Sequence, residues 1–229
     1  MDPFTSQMVS EHKTLLWIAG IVLVLSNVLI LWLGNIRRKG RQGERNVVKC
    51  LANGLPDGYI LLNDVYLPRK GGGTTQIDHL VVSQYGIFVI ETKNYSGWIF
   101  GRENDAEWTE TFPGQKYHFL NPIHQNDAHI YALAECLGIS KDYFHGVVAF
   151  TEKCTFKTPM PDGVVYTVGL ANYIKSFDKV RIDPSQVPET AEAIRKWAAE
   201  VGDNPAKAHV VALKHKARGG SRVDWAFLL

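Results

Sequence analysis

An α/β (α+β) sandwich on a central mixed sheet, preceded by one transmembrane helix, is the fold class the sequence predicts, on three observations. Residues 14–36 run for 23 positions without a charged side chain. Two apolar segments, Gln76 to Val82 and Ile87 to Lys93, flank the turn Ser83-Gln84-Tyr85-Gly86 in the manner of a hairpin. Helical patterns then alternate with short apolar runs to about residue 200, as in a layered domain.

Composition narrows the function classes. With 229 residues, 45% hydrophobic, 21% charged and a formal net charge of +2, the chain is neither disordered, collagenous nor polybasic. Charge by segment says more: residues 1–36 carry −1, residues 37–43 carry +4 through Arg37, Arg38, Lys39 and Arg41, and the rest carries −1. The body of the protein therefore lacks the bulk positive charge behind non-specific DNA affinity, and any nucleic-acid contact must come from local patches or a bound metal. Cys50, Cys136 and Cys154 are odd in number and widely spaced, so neither a disulfide framework nor a CxxC zinc signature is present.

The elements follow in order. Residues 1–13 form an N-terminal extramembrane segment and residues 14–36 a helix about 34 Å long, enough to span a bilayer core. Trp17 and Trp32 sit near its ends, where indole rings favour the interface. A secretory signal fits poorly, because the preceding segment is net acidic, the apolar run is too long and no small-residue cleavage site follows. Lys13 is the single cation before the span, whereas four follow it, so the N-terminus is expected outside and the C-terminal domain in the cytoplasm. Residues 37–43 are expected to be a basic juxtamembrane linker that faces lipid headgroups.

Residues 44–155 are the expected domain core, with residues 156–205 completing it and residues 206–229 a basic tail of unassigned role. Val47, Val48 and Leu51 share one side of a short helix over Glu44 to Asn53, and Tyr59 to Tyr66 is a strand. Pro68 to Thr75, with three glycines, is expected to be a mobile loop; it lacks the lysine of a P-loop. In the hairpin, Val82 falls opposite Ile87 and, in the same register, Asp78 opposite Glu91. Alternation puts Ile87, Val89, Glu91 and Lys93 on one face and Phe88 and Ile90 on the other, both faces otherwise apolar, as in a strand covered by helices on both sides. Trp98 to Phe100 extends the sheet. Trp98 and Trp108 could stack on unpaired bases, with core packing the favoured place for Trp98. Asn121 and Pro122 open a helix to Leu137 that carries Gln125 and His129 on one face. Gly146 to Phe150 and Val164 to Val168 are strands, and Leu170 to Phe177 and Pro188 to Val201 helices.

Two opposed carboxylates on a buried sheet repel and are kept only with compensation. Either Lys93 neutralises them, as a local ion pair with Glu91, or a divalent cation does. Glu44 adds a third acid, and three acids with one lysine suit a hard, oxygen-ligated cation. His79 is expected on the face opposite Asp78, and His118 and His124 show no zinc spacing.

Gly43-Glu44, QIDHLVVS at Gln76 to Ser83, GIFVIETKN at Gly86 to Asn94, the following G-W-I-F-G, and N-P-x-x-Q-x-x-x-H at Asn121 to His129 resemble the NERD (nuclease-related) domain, over about residues 40–155. The resemblance implies a restriction-endonuclease-like three-layer sandwich of the PD-(D/E)xK group, with Ile77 in place of the proline. It implies that Asp78, Glu91, the Thr92 carbonyl and Glu44 ligate Mg²⁺ or Mn²⁺, and that Lys93 positions or deprotonates the attacking water and stabilises the developing charge. Gln125 and His129 resemble the family's downstream Q-x3-H and would touch the phosphate or a metal-bound water, or else form a helix-cap network that holds the residues around the site, with Gln76 beside them. The expected activity is DNA hydrolysis at the cytoplasmic membrane face, with DNA and membrane as partners and no protein partner identified. The alternative is a catalytically silent nucleic-acid or protein binding module on the same fold.

Overall fold

The computed structural model describes residues 3–70 and 72–201; before Gly40 the described side chains are those of residues 17, 21–31, 34 and 38. The expected tail at 206–229 lies outside the described residues. One compact unit ends at Lys39 and a second begins at Gly40.

Residues 37–43, the expected juxtamembrane linker, are helical and lie within helix α1 (Pro3–Gly54). Gly40 and Gly43 each cost about 1 kcal/mol relative to alanine within a helix, too little to break one flanked by good helix formers. Among the described residues no helix is long and apolar enough to cross a membrane. Within that set, Ile21 to Leu25 and Val28 to Leu31 are more than half exposed. Ser26 and Asn27 turn their side chains back onto the Leu23 carbonyl, at 2.8 and 2.7 Å.

The unit from Gly40 is layered. Five strands, β1 (Ile60–Pro68), β2 (Thr74–Ser83), β3 (Gly86–Lys93), β7 (Phe144–Phe150) and β9 (Val164–Tyr166), form a mixed sheet in the order β1-β2-β3-β7-β9, antiparallel up to β3 and parallel beyond it. Helices α2 (Pro122–Leu137) and α4 (Val187–Glu200) cover one face, burying Leu133, Ile194 and Ala191 against Ile87 and Val89. The C-terminal turns of α1 and the short α3 (Leu170–Lys175) cover the other, with Val47, Leu51 and Ile174 against Phe88 and Ile90. The predicted facing of β3 is therefore the observed one. So is the hairpin register: Val82 pairs with Ile87 and His79 with Ile90.

Gly71 of the glycine segment lies outside the described residues; around it Pro68 sits opposite Thr74, and Arg69 N donates to the Gly73 carbonyl at 3.1 Å. Gly72 and Gly73 sit at φ +94° and +79°, where only glycine is unstrained.

A second sheet escaped the sequence reading. Strands β4 (Trp98–Phe100), β5 (Glu107–Phe112), β6 (Gln115–Leu120) and β8 (Thr155–Phe156) form it in the order β6-β5-β4-β8, so Trp98 to Phe100 builds this sheet and does not extend the first. Pro113 and Gly114, with Gly114 at φ +77°, are the two turn residues between β5 and β6, as a type II turn requires. The buried side of this sheet centres on Trp108, which is fully enclosed with Ile99, Phe119 and Phe150. Gly101 must be glycine there, because a Cβ would lie 2.2 Å from the Trp108 ring. The tryptophan expectation is reversed: Trp108 is core and Trp98 is 55% exposed.

Candidate functional site

The site lies where β2 parts from β3. The ladder between them ends at His79 opposite Ile90, and Asp78, instead of facing Glu91 across a paired rung, accepts a hydrogen bond from Thr92 N at 2.9 Å. The departure has a cause in β1. Asp64 is the one described non-glycine residue with positive φ, at 52°, and it falls across from Asp78 between the pairs Asn63–His79 and Val65–Ile77. Side-chain alternation breaks there in both strands: Leu62 and Val65, like Ile77 and Leu80, join the same core cluster three residues apart. Parity was thus the wrong reason to set His79 apart from Asp78. His79 is nonetheless committed elsewhere, its Nδ1 2.7 Å from Asn63 Oδ1, and burial lowers its pKa to about 4, which keeps the ring neutral.

Glu91 and Lys93 project toward α2. Lys93 Nζ lies 2.9 Å from Glu91 Oε1 and donates to Gln125 Oε1 at 3.0 Å, while His129 Nε2 lies 3.4 Å from Glu91 Oε2. His129 Nδ1 is 2.8 Å from Thr75 Oγ1. A ring proton on Nε2, toward the carboxylate, leaves Nδ1 to accept from the Thr75 hydroxyl. Glu91, Lys93, His129 and Thr75 are all buried. Asn121 accepts from Ile123 N at the start of α2, and Pro122 occupies the first helical turn, which fixes the register that delivers Gln125 and His129. Asn126, between them, donates to the carbonyls of Val89 and Val147 and locks α2 onto β3 and β7.

Glu44 comes from α1, and Gly43 explains how. A Cβ at Gly43 would approach Asn94 Cβ to 2.9 Å and Thr92 Cγ2 to 3.3 Å, so only glycine lets the helix close on the end of β3. Beyond Lys93, the buried Glu110 of β5 accepts from Ser96 N and Gly97 N, both at 2.9 Å, and holds the strand exit.

The electrostatics divide the acids. Burial works to raise the Glu91 carboxyl, but Lys93 and His129 outweigh it and hold the group at about 2. Burial, followed by the charges of Glu91 and Glu44, drives the Asp78 carboxyl well above its ordinary range, against the Thr92 hydrogen bond and Lys93. Glu44 is also raised, by burial first and then by Asp64 and Glu91, with Arg41 and Arg45 pulling the other way. Tyr66 is raised by burial first, then by the charges of Asp64, Asp78 and Glu44.

Among the described residues no three His, Cys, Asp or Glu side chains are gathered closely enough to hold a metal ion. The donor chemistry nevertheless suits a hard divalent cation: Asp78 and Glu44 carboxyls that burial and Glu91 push above their ordinary range, and a buried Thr92 Oγ1 without a hydrogen-bond partner among the described residues. Asp78, Glu91 and Glu44 would supply the ligands.

Lys93 thus meets Glu91 and Gln125, His129 lies beside Glu91, and Asp78 and Glu44 feel the Glu91 charge. Gln76 donates to Asp64 Oδ1 at 3.3 Å, so it serves an acid that sequence reasoning did not single out. Asp64 and Thr75 were both missed. Asp64 left the signal of a polar Asn-Asp pair inside an apolar strand; Thr75 left none.

Residues 39–151 match the family described as nuclease-related domain (NERD). The chain is also similar to an uncharacterized protein of Bacillus anthracis, at 36% identity over 183 residues, covering 78% of this chain and 85% of that protein. No solved structure matches it.

Proposed function

The chain belongs to the nuclease-related domain (NERD) family, and on that premise we propose that it is a membrane-anchored, Mg²⁺- or Mn²⁺-dependent nuclease that hydrolyses DNA phosphodiester bonds at the cytoplasmic face. The observation that carries this reading is the union of Asp78, Glu91 and Lys93 at the parting of β2 and β3, with Glu44 delivered from α1. Bound there, a divalent cation supplies Lewis acidity at the phosphoryl oxygen. The chain's own groups do the rest. Glu91 fixes the Lys93 ammonium, 3.0 Å from Gln125, where it can offset negative charge that grows on the phosphoryl oxygens during in-line attack by water. His129, held by Thr75, sets the Glu91 carboxylate. The anchor rests on the uncharged span at 14–36, on the exposed apolar side chains between Ile21 and Leu31, and on the self-satisfied Ser26 and Asn27. The arginines and lysine at 37–41 favour the cytoplasm for the domain.

The test is plasmid cleavage by the full chain in detergent, with Mg²⁺, with Mn²⁺ and with EDTA, beside Asp78→Ala and Lys93→Ala. Cation-dependent cleavage lost in both variants is expected. Equal cleavage by the wild type and Asp78→Ala would remove the proposal. A silent binding module is the second reading, favoured by one observation: both Glu91 oxygens already face nitrogens of this chain, Lys93 Nζ at 2.9 Å and His129 Nε2 at 3.4 Å. Calorimetry that detects neither Mg²⁺ nor Mn²⁺ binding to a folded chain would select it.

A further inference from the structure

The outer face of the second sheet is out of keeping with an ordinary surface. Strand register sets Trp98, Thr111 and Lys116 in one row across β4, β5 and β6, and Phe100, Thr109 and His118 in the next. Trp98 is 55% and Phe100 39% exposed. Their rings stand two residues apart on one strand, about 6.8 Å, and border a shallow depression that Phe112 and Lys116 complete. Charge on this face is sorted. Lys157 Nζ sits 4.6 Å above the Trp98 ring and Lys116 lies in the same row, whereas the acid on the face, Glu107, is at the far end beside Leu120. Trp98 begins β4 five residues after Lys93, so at most about 18 Å of chain separates it from the proposed catalytic lysine.

We propose that this face is a stacking platform for single-stranded nucleic acid, with Trp98 and Phe100 receiving two successive unpaired bases and Lys116 and Lys157 pairing with the adjoining phosphates. The proposal deepens the nucleic-acid reading above and rests on it. Two flat rings in tandem match bases that have lost their own stack, and flanking lysines match a phosphate backbone. A duplex, whose bases are already stacked, offers these rings nothing. A base on Trp98 displaces Lys157 from the ring, and the ammonium so released is the one nearest the incoming phosphate. The domain's net negative body is no obstacle, because the attraction is local.

The experiment titrates the full chain, in detergent and EDTA, into fluorescently labelled (dT)15 and a 15-base-pair duplex, and reads anisotropy. Trp98→Ala should weaken (dT)15 binding by about 5- to 150-fold and leave duplex binding within twofold, while Trp98→Phe retains most of the affinity. Lys116→Ala should flatten the slope of log affinity against log salt by about 0.7. Unaltered (dT)15 affinity in Trp98→Ala overturns the proposal, as does equal weakening for both nucleic acids. A Trp98→Ala chain that changes oligomeric state without changing (dT)15 binding overturns it in favour of a protein-protein contact. Because EDTA blocks cleavage, the outcome is independent of the nuclease reading: a Trp98 effect in a chain that cuts no plasmid removes the nuclease and keeps the platform.

Discussion

Glu91→Ala should remove the carboxylate that pairs with the buried Lys93 ammonium, and the cost can be worked from the site. Lys93 and Glu91 side chains are each 4% exposed and 2.9 Å apart. At an effective dielectric of about 20 that separation corresponds to about 6 kcal/mol of attraction, before the cost of removing both charges from water. Removing one partner of such a pair typically costs about 3–5 kcal/mol. For a domain of this size each kcal/mol moves the melting temperature by about 2–4 °C, so a fall of about 6–20 °C is expected at pH 7 in EDTA. Glu91→Leu combined with Lys93→Met should recover most of it, since no buried charge then lacks a partner. The pH dependence has a definite sign. Glu91 has a folded pKa near 2, below its ordinary 4.5, so its stabilisation is complete above about 4.5 and disappears as pH falls through 2. Thermal and urea melts of the wild type and these variants across pH 2–7 measure all of this. A Glu91→Ala chain within about 1 kcal/mol of wild type, or a double variant as costly as the two single ones summed, would refute the buried pair.

Asp78→Asn should act in the opposite direction. Its raised folded pKa means that the ionised carboxylate opposes folding above that pKa and not at low pH, so the variant should melt higher than wild type at pH 7 in EDTA, with the gain gone at pH 3, while cleavage is abolished. Gly43→Ala should cost about 1–3 kcal/mol by overpacking against Thr92 and Asn94 and should lower cleavage by displacing Glu44. Gly40→Ala, with nothing within 4 Å of the added methyl, is its control and should be neutral or mildly stabilising in melts.

What the sequence disclosed follows the strength of local signals. The β2–β3 hairpin was legible to the residue because a two-residue turn, Gln84-Tyr85, leaves one register, and the alternation of β3 was legible because helices cover both of its faces. The second sheet was not, because β4 has three residues, β8 two, and β6 is exposed along most of its length, so none shows a full apolar period. Its Pro113-Gly114 turn was the available sign. Asp64 was hidden for a different reason: the break in alternation that aims it depends on its positive φ and on the partner strand, and neither is written in residue types. That 37–43 is helical was not legible either, because its charges suit a linker and an exposed helix surface equally well.

The break at Asp64 and Asp78 also bears on why the acids are unequal. Had β2 stayed paired with β3 for one more rung, Asp78 would have shared the Glu91 environment and competed for Lys93. The ladder stops one residue short, so Lys93 and His129 are committed to Glu91, and Asp78 is left with a backbone amide, a lesser pull from Lys93 and the repulsion of two other carboxylates. Arg41 and Arg45 bring no relief to Asp78, because they act on Glu44 from the exposed side of α1. Lys93 thus serves Glu91 first, while Asp78 and Glu44 are both held above the ordinary carboxylate range. Stability alone would have removed Asp78, since an amide there relieves the repulsion. A divalent cation, in contrast, would reverse the sign of Asp78's contribution to folding, so Mg²⁺ or Mn²⁺ should raise the melting temperature of the wild type more than that of Asp78→Asn, and equal shifts would dissociate the charge deficit from metal binding.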